Sequence, residues 1–298
     1  MKLVSWEGVF VAMVTPMKKG GKELDLEAMR SYCDFILDKG VQGIFVGGTT
    51  GEGPLLSMDE RKKLAEVVVD QVKGKTLIII QTGCITTLET IELTLHAKKI
   101  GADAAGVLLP YFYNLDEEAI FEHFVRIADA VPELPLFLYN IPQCTCNNLS
   151  CGLFERLLNK IETIVGVKTS NPDIFQIQEF VHISQERCSV FLGHDGLLLA
   201  GLSAGAKGIV SGNASCFPEP FVEIYQAFKR GDLEKTRKSQ LFIDKLRNAL
   251  GNGSQIASFK RALDFRGVKV GSVRSPNREL SQEEVLKLRD SLSKLGLV

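Results

Sequence analysis

Residues 43–81 read GIFVGGTTGEGPLLSMDERKKLAEVVVDQVKGKTLIIIQ. Two short apolar runs, at residues 43–47 and 76–81, flank a stretch whose apolar residues recur with the helical period. Ser57 and Glu60 have the spacing of a capping box, which predicts a helix that starts just after Ser57. Strand, helix and strand in this order predict a βαβ unit, whose two strands are parallel in one sheet.

The same alternation continues through most of the chain. Eight short, nearly unbroken apolar runs, as expected of strands buried on both faces, lie at residues 8–15, 43–47, 76–81, 104–109, 136–140, 164–168, 189–192 and 208–211. A helical period also covers residues 87–99 and stops at Gly101. We therefore predict an α/β fold, a (β/α)8 TIM barrel with a C-terminal helical appendage. An open doubly wound sheet is the alternative, but both the G-x-G-x-x-G fingerprint after the first strand and the phosphate-binding loop are missing.

The strand patterns end after residue 217. Helical patterns follow at residues 221–229, 233–250 and 281–295, with Asp232 as a predicted N-cap and Ser281 with Glu284 as a second capping box. The glycine-containing and proline-containing stretch 266–278 is predicted to be a loop. Only the first helix is needed to complete the eighth β/α unit, so we expect a catalytic barrel at residues 1–230 and a C-terminal helical region at residues 231–298.

The composition and net charge of the chain indicate which kinds of partner it binds. The 298 residues are 24% charged with a formal net charge of -1, so there is no basic excess to bind nucleic acid or an anionic membrane. No stretch approaches the roughly 20 apolar residues of a membrane span, and the first seven residues lack the apolar core of a signal peptide. We expect a cytoplasmic protein that acts on small molecules.

The cysteines and histidines do not suggest a metal site. Seven cysteines are an odd number, and a chain of this length does not need disulfides, so reduced thiols are expected. Cys144, Cys146 and Cys151 lack the paired spacing of a zinc site. Of the four histidines only His194 lies near a strand end, and a metal-dependent aldolase would need several ligands there. We expect no metal and no other cofactor.

Two lysines lie at opposite ends of predicted strands. Lys168 ends the run IVGVK, whereas Lys207 precedes the run GIVS. Active sites of (β/α)8 barrels lie at the carboxyl ends of the strands, which singles out Lys168. An apolar surrounding favours the neutral amine, the form that attacks a ketone. Position alone leaves open whether Lys168 is such a nucleophile or a lysine that points into water.

The neighbouring polar residues favour the nucleophile. Tyr139 closes the preceding strand, so its phenol is expected beside Lys168. Thr49 and Thr50 lie in the glycine-rich turn GGTTGEG, whose backbone N–H groups can bind a carboxylate. Together these groups suit imine formation with a 2-keto acid, proton transfer by hydroxyls, and a carbon–carbon bond made or broken at the neighbouring carbon.

At GGTTGEG, LYNIP and GVKTS the sequence resembles the family of dihydrodipicolinate synthase and N-acetylneuraminate lyase, and the similarity covers nearly the whole chain. The resemblance implies that Lys168 forms the Schiff base with pyruvate, that Tyr139 shuttles protons with Thr50, and that the turn around Thr49 and Thr50 holds the pyruvate carboxylate. It also implies that Gly193 and Val210 line the pyruvate pocket. Members of the family are typically homotetramers, so a homotetramer is implied here.

Two departures from the family pattern bear on the second substrate. In the synthase an arginine two residues after the proline of YN-x-P binds the carboxylate of aspartate semialdehyde, and Cys144 stands at that place. A thiol cannot make the bidentate contact of arginine. The tyrosine that family members place at the subunit interface aligns with Phe112, which has no hydroxyl. Whether Tyr111 or Tyr113 supplies the missing hydroxyl is left open by the sequence. The segment GCITTLET resembles the lyase, whereas GGTTGEG is closer to the synthase.

These observations give three hypotheses. The leading one is a pyruvate-dependent aldolase or lyase that acts on a sugar-derived 2-keto-3-deoxy acid or a sialic-acid-like substrate through Lys168. The alternative within the same chemistry is 4-hydroxy-tetrahydrodipicolinate synthase, which condenses pyruvate with aspartate semialdehyde. The alternative of another class is a barrel that binds a keto acid without turnover, which Phe112 and Cys144 suggest.

Overall fold

The computed structural model describes residues 5–251 and 256–298. Its eight strands pair in parallel in chain order, and β1 also pairs with β8, so the sheet closes into a barrel. The strands are β1 (Gly8–Ala12), β2 (Gly43–Val46), β3 (Leu77–Gln81), β4 (Ala104–Leu108), β5 (Leu136–Asn140), β6 (Ile164–Thr169), β7 (Ser189–Leu192) and β8 (Gly208–Ser211). The predicted (β/α)8 barrel is thereby confirmed, and the open sheet is not formed.

The predicted strand ends differ most at β1. The apolar run 8–15 continues past Ala12, yet β1 ends there, and the last backbone bond to β2 is from the Met13 N–H to the carbonyl of Phe45 at 3.0 Å. Thr15 Oγ1 donates to the carbonyl of Gly51 at 2.6 Å, which fastens this buried segment below the glycine-rich turn. Burial alone therefore extends the predicted strand beyond the backbone pairing.

Helices connect the strands and cover the outside of the barrel. They are α1 (Leu26–Leu37), α2 (Met58–Val72), α3 (Thr87–Ile100), α4 (Glu117–Ala130), α5 (Pro142–Thr145), α6 (Cys151–Lys160), α7 (Ile174–Ser184), α8 (Leu198–Ser203), α9 (Glu219–Lys229), α10 (Leu233–Ala249), α11 (Ile256–Phe265) and α12 (Gln282–Lys294). Both predicted capping boxes, Ser57 with Glu60 and Ser281 with Glu284, are formed. Asp232 caps α10, and Gly101 ends α3 with a φ of 85°, a value that glycine adopts without strain.

The interior of the barrel is filled by aromatic rings set against glycines. A Cβ atom at Gly43 would overlap the ring of Phe10, and one at Gly166 would overlap the ring of Phe137. The rings of Phe10 and Phe191 meet edge to face, with centroids 5.0 Å apart. Large side chains on some strands thus need glycine on the neighbouring strands, and together they fill the barrel interior below the carboxyl ends of the strands.

The C-terminal region packs onto the barrel. Helices α10 and α11 contribute Ile243, Leu246 and Phe259 to the same apolar cluster that joins the strands to the outer helices. The sequence patterns do not predict α11, because the glycine-rich stretch before it obscures its start. The division of the chain at residue 230 stays a prediction. No helix in the described ranges is long and apolar enough to cross a membrane.

Candidate active site

A cavity of about 360 Å3 opens at the carboxyl ends of the strands. It is the end at which (β/α)8 enzymes carry their catalytic groups. All six residues that the sequence singles out line this cavity, namely Thr49, Thr50, Tyr139, Lys168, Gly193 and Val210. Lys207 lies at the opposite end, where its exposed amine is 3.8 Å from a carboxylate oxygen of Glu186.

Lys168 reaches the cavity from near the end of β6. Strand register sets it beside Tyr139 of β5 and Phe191 of β7. The residue is only 5% exposed, and its amine nitrogen lies 4.0 Å from the ring centre of Tyr139 and 4.5 Å from that of Phe45. Within the described ranges no carboxylate lies within 4.0 Å of this amine and no acceptor bonds to it. The amine is therefore buried, faces aromatic rings and is available to a ligand.

The phenol of Tyr139 shares a hydrogen bond with a turn threonine. Tyr139 Oη and Thr49 Oγ1 are 3.2 Å apart, and either can be the donor. Two hydroxyls in contact can pass a proton between a ligand and a second group, which is what proton exchange at an imine carbon requires. The pair lies beside the Lys168 amine, because Tyr139 and Lys168 are register partners.

The threonine in this pair differs from the one that the resemblance implied. The relay role was expected of Thr50, but the hydroxyl that contacts Tyr139 is that of Thr49. Successive side chains of the turn point in different directions, and Thr50 Oγ1 instead lies 2.8 Å from the position of a Cβ atom on Gly212. The hydroxyl pair in the structure is therefore Tyr139 with Thr49, Thr50 lies at the cavity wall near β8, and the assignment of the proton relay to Thr50 stays a prediction.

Gly193 leaves room for Lys168. A Cβ atom at Gly193 would overlap Ser170 Oγ and lie 3.2 Å from Lys168 Cε. The backbone N–H of Gly193 donates to the carbonyl of Thr169 at 2.7 Å, so the segment cannot move away without breaking that bond. A side chain at Gly193 would displace the lysine stem.

The glycine-rich turn is held from below by a buried ion pair. Glu52 has a φ of 57°, an uncommon value for a residue with a side chain. Its carboxylate accepts bonds from Lys260 Nζ at 2.7 Å and from the backbone N–H of Arg274 at 2.7 Å. Both side chains of the Glu52–Lys260 pair are at most 3% exposed. The C-terminal region thus fixes the loop that carries Thr49 and Thr50.

The wall beside β7 and β8 holds polar residues that the sequence did not single out. Asp195 is buried, and its carboxylate accepts from Ser211 Oγ at 2.9 Å and from Asn213 Nδ2 at 2.6 Å. Burial raises the pKa of Asp195, although these two bonds act against the rise. Asn213 follows β8 directly, so the strand-end rule could have found it. Arg247 comes from α10, and no local signal points to it.

The two departures from the family pattern lie in different surroundings. Cys144 belongs to the one-turn helix α5 and lines the cavity. Burial raises the pKa of its thiol, and the charge of nearby Lys168 opposes that rise. Phe112 is 77% exposed with a φ of 80°, outside the cavity lining. Tyr111 is partly buried against the barrel interior, whereas Tyr113 is 64% exposed.

The histidines lie where the sequence indicated. His96, His123 and His182 are in helices α3, α4 and α7, and His194 follows β7. In the part of the chain that the structure describes, no group of three or more His, Cys, Asp or Glu side chains is arranged to hold a metal ion.

Comparison with known sequences supports the resemblance. The model of the dihydrodipicolinate synthetase family matches residues 5–295. A protein of Methanocaldococcus jannaschii named 4-hydroxy-tetrahydrodipicolinate synthase is 35% identical, and the alignment covers 98% of this chain and all of that protein. A Pyrococcus horikoshii protein named as an uncharacterized DapA-like lyase is 37% identical, with coverage of 94% and 97%.

Comparison with solved structures agrees. Dihydrodipicolinate synthase from Aquifex aeolicus superposes with a TM-score of 0.93 at 35% identity over 98% of this chain and 99% of that one. A prophage protein of the same family from E. coli K12, in complex with pyruvate, has a TM-score of 0.93 at 26% identity, with coverage of 99% and 100%. A sialic acid aldolase of Ruminococcus gnavus has a TM-score of 0.92 at 26% identity, with coverage of 98% and 96%.

The family and the names of these relatives are those of synthases and aldolases. The present chain is accordingly an enzyme of the lyase class. The hypothesis of a barrel without turnover has no support among them. Their names favour the synthase over the sugar-acid lyase that the sequence ranked first. With its barrel closed, its lysine at the barrel mouth and nearly its whole length matched, this chain belongs to the dihydrodipicolinate synthetase family.

Proposed function

We propose that this enzyme makes or breaks the carbon–carbon bond next to the keto group of pyruvate through an imine on Lys168. The observation that carries the proposal is the Lys168 amine, which is buried against two aromatic rings without an acidic partner in the described ranges. Burying a lysine amine without a counter-charge costs free energy. A reaction of the amine with a ligand in the cavity accounts for a lysine at this position.

The chemistry follows from the groups present. The neutral amine attacks C2 of pyruvate, a C–N bond forms, and water leaves with the keto oxygen to give the imine. The imine draws electrons from C3, so a C3 proton is lost and the enamine forms. Tyr139 and Thr49 are the hydroxyls that move this proton and the proton of the departing water. The enamine carbon then attacks the aldehyde carbon and the aldehyde oxygen takes up a proton. Water adds to the resulting imine and frees both the product and the Lys168 amine, and the same steps in reverse split a 4-hydroxy-2-keto acid.

The glycine-rich turn serves the carboxylate of the keto acid. Backbone N–H groups around Thr49 and Thr50 form a concave donor surface that suits an anion. Gly193 and Val210 line the cavity after β7 and in β8, and the missing Cβ atom of Gly193 leaves space there for the three-carbon unit. No metal has a role in this proposal, since the imine itself withdraws the electrons.

Borohydride trapping tests the imine. Incubation with pyruvate and borohydride should add a stable mass to the peptide that contains Lys168, and Lys168→Met should abolish it. Lys207→Met is the matched control, because that lysine is exposed at the opposite end of the barrel. A label that survives Lys168→Met, or no label in the wild type, would contradict the proposal.

Aspartate semialdehyde is the aldehyde that the comparisons favour. The Methanocaldococcus jannaschii relative and the Aquifex aeolicus structure both carry the synthase name. On this candidate the enzyme condenses pyruvate with aspartate semialdehyde. This reaction requires a cationic side chain that binds the carboxylate of aspartate semialdehyde. Cys144 is not such a cation.

A sugar-derived 2-keto-3-deoxy acid or a sialic-acid-like substrate is the second candidate, and Cys144 is the observation that favours it. A thiol at the cavity wall leaves room for a longer, hydroxyl-bearing chain. Release of pyruvate from a panel of such acids would favour this lyase reaction. Faster turnover of pyruvate with aspartate semialdehyde by the same preparation would favour the synthase reaction instead.

We also propose a homotetramer. Phe112 and Tyr113 expose two aromatic rings next to each other, with centroids 5.1 Å apart. Phe112 holds a φ of 80°, a conformation that costs free energy for a residue with a side chain. A strained, exposed aromatic pair is what an interface between copies would bury.

A further inference from the structure

The cavity contains a second cationic side chain besides Lys168. Arg247 lies in the last turn of α10, and its side chain is 20% exposed. Its Nη1 atom is 2.6 Å, and its Cζ atom 3.4 Å, from the position that a Cβ atom on Gly196 would take. The missing side chain of Gly196 therefore makes room for the guanidinium beside the end of β7, at the wall of the cavity.

The guanidinium has almost no protein partner. The one carboxylate within 4.0 Å of it among the described residues is that of Asp244, at 3.9 Å, and Asp244 also accepts from Gln240 at 3.1 Å. No hydrogen bond from the Arg247 side chain is formed within residues 5–251 and 256–298. Arg274, in contrast, holds both oxygens of Glu60 at 2.6 and 2.7 Å. The five N–H donors of the Arg247 side chain are thus unpaired among the described residues and open to the cavity, where they can bind an anion that enters it.

The surroundings of Arg247 leave its charge free for that partner. Asp195 is the acid among the described cavity-lining residues, and the charge of Arg247 opposes the rise of its pKa, but its Oδ2 atom is already bound by Ser211 and Asn213 and it lies beyond 4.0 Å from Arg247. His194 adds a buried Nδ1 atom that has no hydrogen-bond partner among the residues that the structure describes. Burial, followed by the charge of Arg247, lowers the pKa of His194, so this imidazole is neutral at pH 7 and offers a hydrogen bond rather than a charge.

We propose that Arg247 binds the anionic end, a carboxylate or a phosphate, of the aldehyde that reacts at Lys168. The planar fork of arginine matches both groups, and hydroxyl groups alone would leave its charge unpaired. The carboxylate of the keto acid lies at the β2 turn, and β1 and β8 separate that turn from Arg247 of the β7 wall. The bound chain therefore runs across the cavity from the β2 turn to Arg247. This assignment rests on the imine at Lys168.

It also accounts for Cys144. The cation that recognises an acidic aldehyde comes from α10 instead of from the segment after β5. An acidic aldehyde is thereby compatible with this cavity despite the thiol. The class of second substrate is an aldehyde with a negative charge at its far end, and neutral aldehydes are poor substrates.

Matched aldehydes test the assignment. The wild type, Arg247→Gln and Arg247→Lys are each given pyruvate with aspartate semialdehyde, with glyceraldehyde 3-phosphate and with neutral glyceraldehyde. For the better of the two anionic aldehydes we expect kcat/KM to fall about tenfold or more in Arg247→Gln, through KM, with partial recovery in Arg247→Lys. The value for glyceraldehyde should change by less than about twofold. The aldehyde whose kcat/KM falls more in Arg247→Gln shows whether Arg247 binds a carboxylate or a phosphate.

The control is Arg237→Gln, because Arg237 is exposed on the same helix. An equal fall in kcat/KM for neutral and anionic aldehydes in Arg247→Gln would overturn the assignment. A lower yield of the pyruvate adduct in this variant would also overturn it, because Arg247 would then bind the carboxylate of pyruvate. Absence of any Lys168 adduct in the wild type would instead reject the proposed function.

A binding measurement covers the case in which none of these aldehydes turns over. After Lys168 has been blocked as the reduced pyruvate adduct, inorganic phosphate and succinate are titrated into the wild type and Arg247→Gln. We expect one anion to bind the wild type about tenfold more tightly than the variant. Equal affinities of both proteins for both anions would overturn the assignment.

Discussion

At the scale of single residues, the site depends on where side chains are present and where they are missing. Lys168 has an unobstructed path into the cavity because position 193 carries no Cβ atom. Its amine lies over the ring of Tyr139, whose hydroxyl contacts Thr49. Four residues from four separate stretches of sequence thus define one reactive position.

Gly193→Ala should impair the enzyme without unfolding it. The added methyl group overlaps Ser170 Oγ and presses on Lys168 Cε, so the stem of the lysine must move. We expect the yield of the borohydride adduct to fall several-fold, since Ser170 Oγ must move and Lys168 Cε must shift by a few tenths of an ångström from its position for attack. Gly152→Ala is the control, because a Cβ atom there meets nothing within 4 Å, and normal trapping by Gly193→Ala would contradict this account.

Tyr139→Phe removes the phenol but keeps the ring that contacts Lys168. We expect kcat to fall about 10²- to 10⁴-fold, the usual contribution of a positioned acid or base. Exchange of the C3 protons of pyruvate with deuterated solvent, followed by NMR, measures the affected step directly. Unchanged exchange in the variant would show that another group moves this proton.

At the scale of elements, the C-terminal region supports the turn that carries the threonines. Lys260 of α11 donates to Glu52 and to the carbonyl of Ser272 at 2.6 Å, which joins the helix, the turn and the loop after α11. The loop is held further by the bidentate contact of Arg274 with Glu60 of α2. The helical appendage therefore contributes to the geometry of the active site.

Glu52→Gln should destabilise the protein by about 3–5 kcal/mol, because it leaves the Lys260 charge buried without a counter-charge. The double variant Glu52→Gln with Lys260→Met should regain part of that loss. Urea unfolding followed by circular dichroism measures both. The exposed pair of Lys18 and Glu23 provides the control, where Glu23→Gln should leave unfolding unchanged. An equal, small effect of both glutamate substitutions would refute a role for burial.

At the scale of the whole molecule, stability and assembly are the properties to test. His123 is 4% exposed between α3 and α4, and Thr87 Oγ1 lies 2.9 Å from its Nδ1 atom. Its Nε2 atom is buried and has no hydrogen-bond partner within residues 5–251 and 256–298. Burial, with a smaller contribution from Arg126, lowers the pKa of His123 from 6.5 to about 4.

Because the folded pKa of His123 lies below the unfolded value, the unfolded chain binds more protons between these two values. The contribution of His123 is complete above pH 6.5 and is lost as the pH falls toward about 4, which amounts to about 3 kcal/mol. Urea unfolding of the wild type and of His123→Gln across this range should show a shallower pH dependence in the variant. His182→Gln, at an exposed position, should follow the wild type, and parallel curves for all three proteins would disprove the prediction.

Phe112→Glu should disrupt the proposed homotetramer. A carboxylate at this strained and exposed position would have to be buried between copies, at a cost that favours smaller species. Sedimentation velocity compares the variant with the wild type and with Leu286→Glu, which changes an apolar side chain that is 69% exposed on α12. A wild type that sediments as a monomer would contradict the assembly itself.

The sequence by itself determined the barrel, its strand order and the end at which the site lies. Parallel strands buried on both faces must be apolar throughout, and helices need caps, so these elements leave local patterns such as the capping box of Ser57 and Glu60. A reactive residue that ends a strand is visible in the same way, as Lys168 and Tyr139 are. The strand ends were less certain, since residues 13–15 are buried although β1 ends at Ala12.

Only the tertiary structure decided which threonine contacts Tyr139, that Gly193 makes room for Lys168, and that Lys260 supports Glu52. It also brought Arg247 from α10 to the cavity wall. Each of these contacts joins residues far apart in the chain or depends on the direction of one side chain. A local sequence pattern predicts neither a contact between distant residues nor the direction of a side chain. Both are set by how whole helices and strands pack against each other.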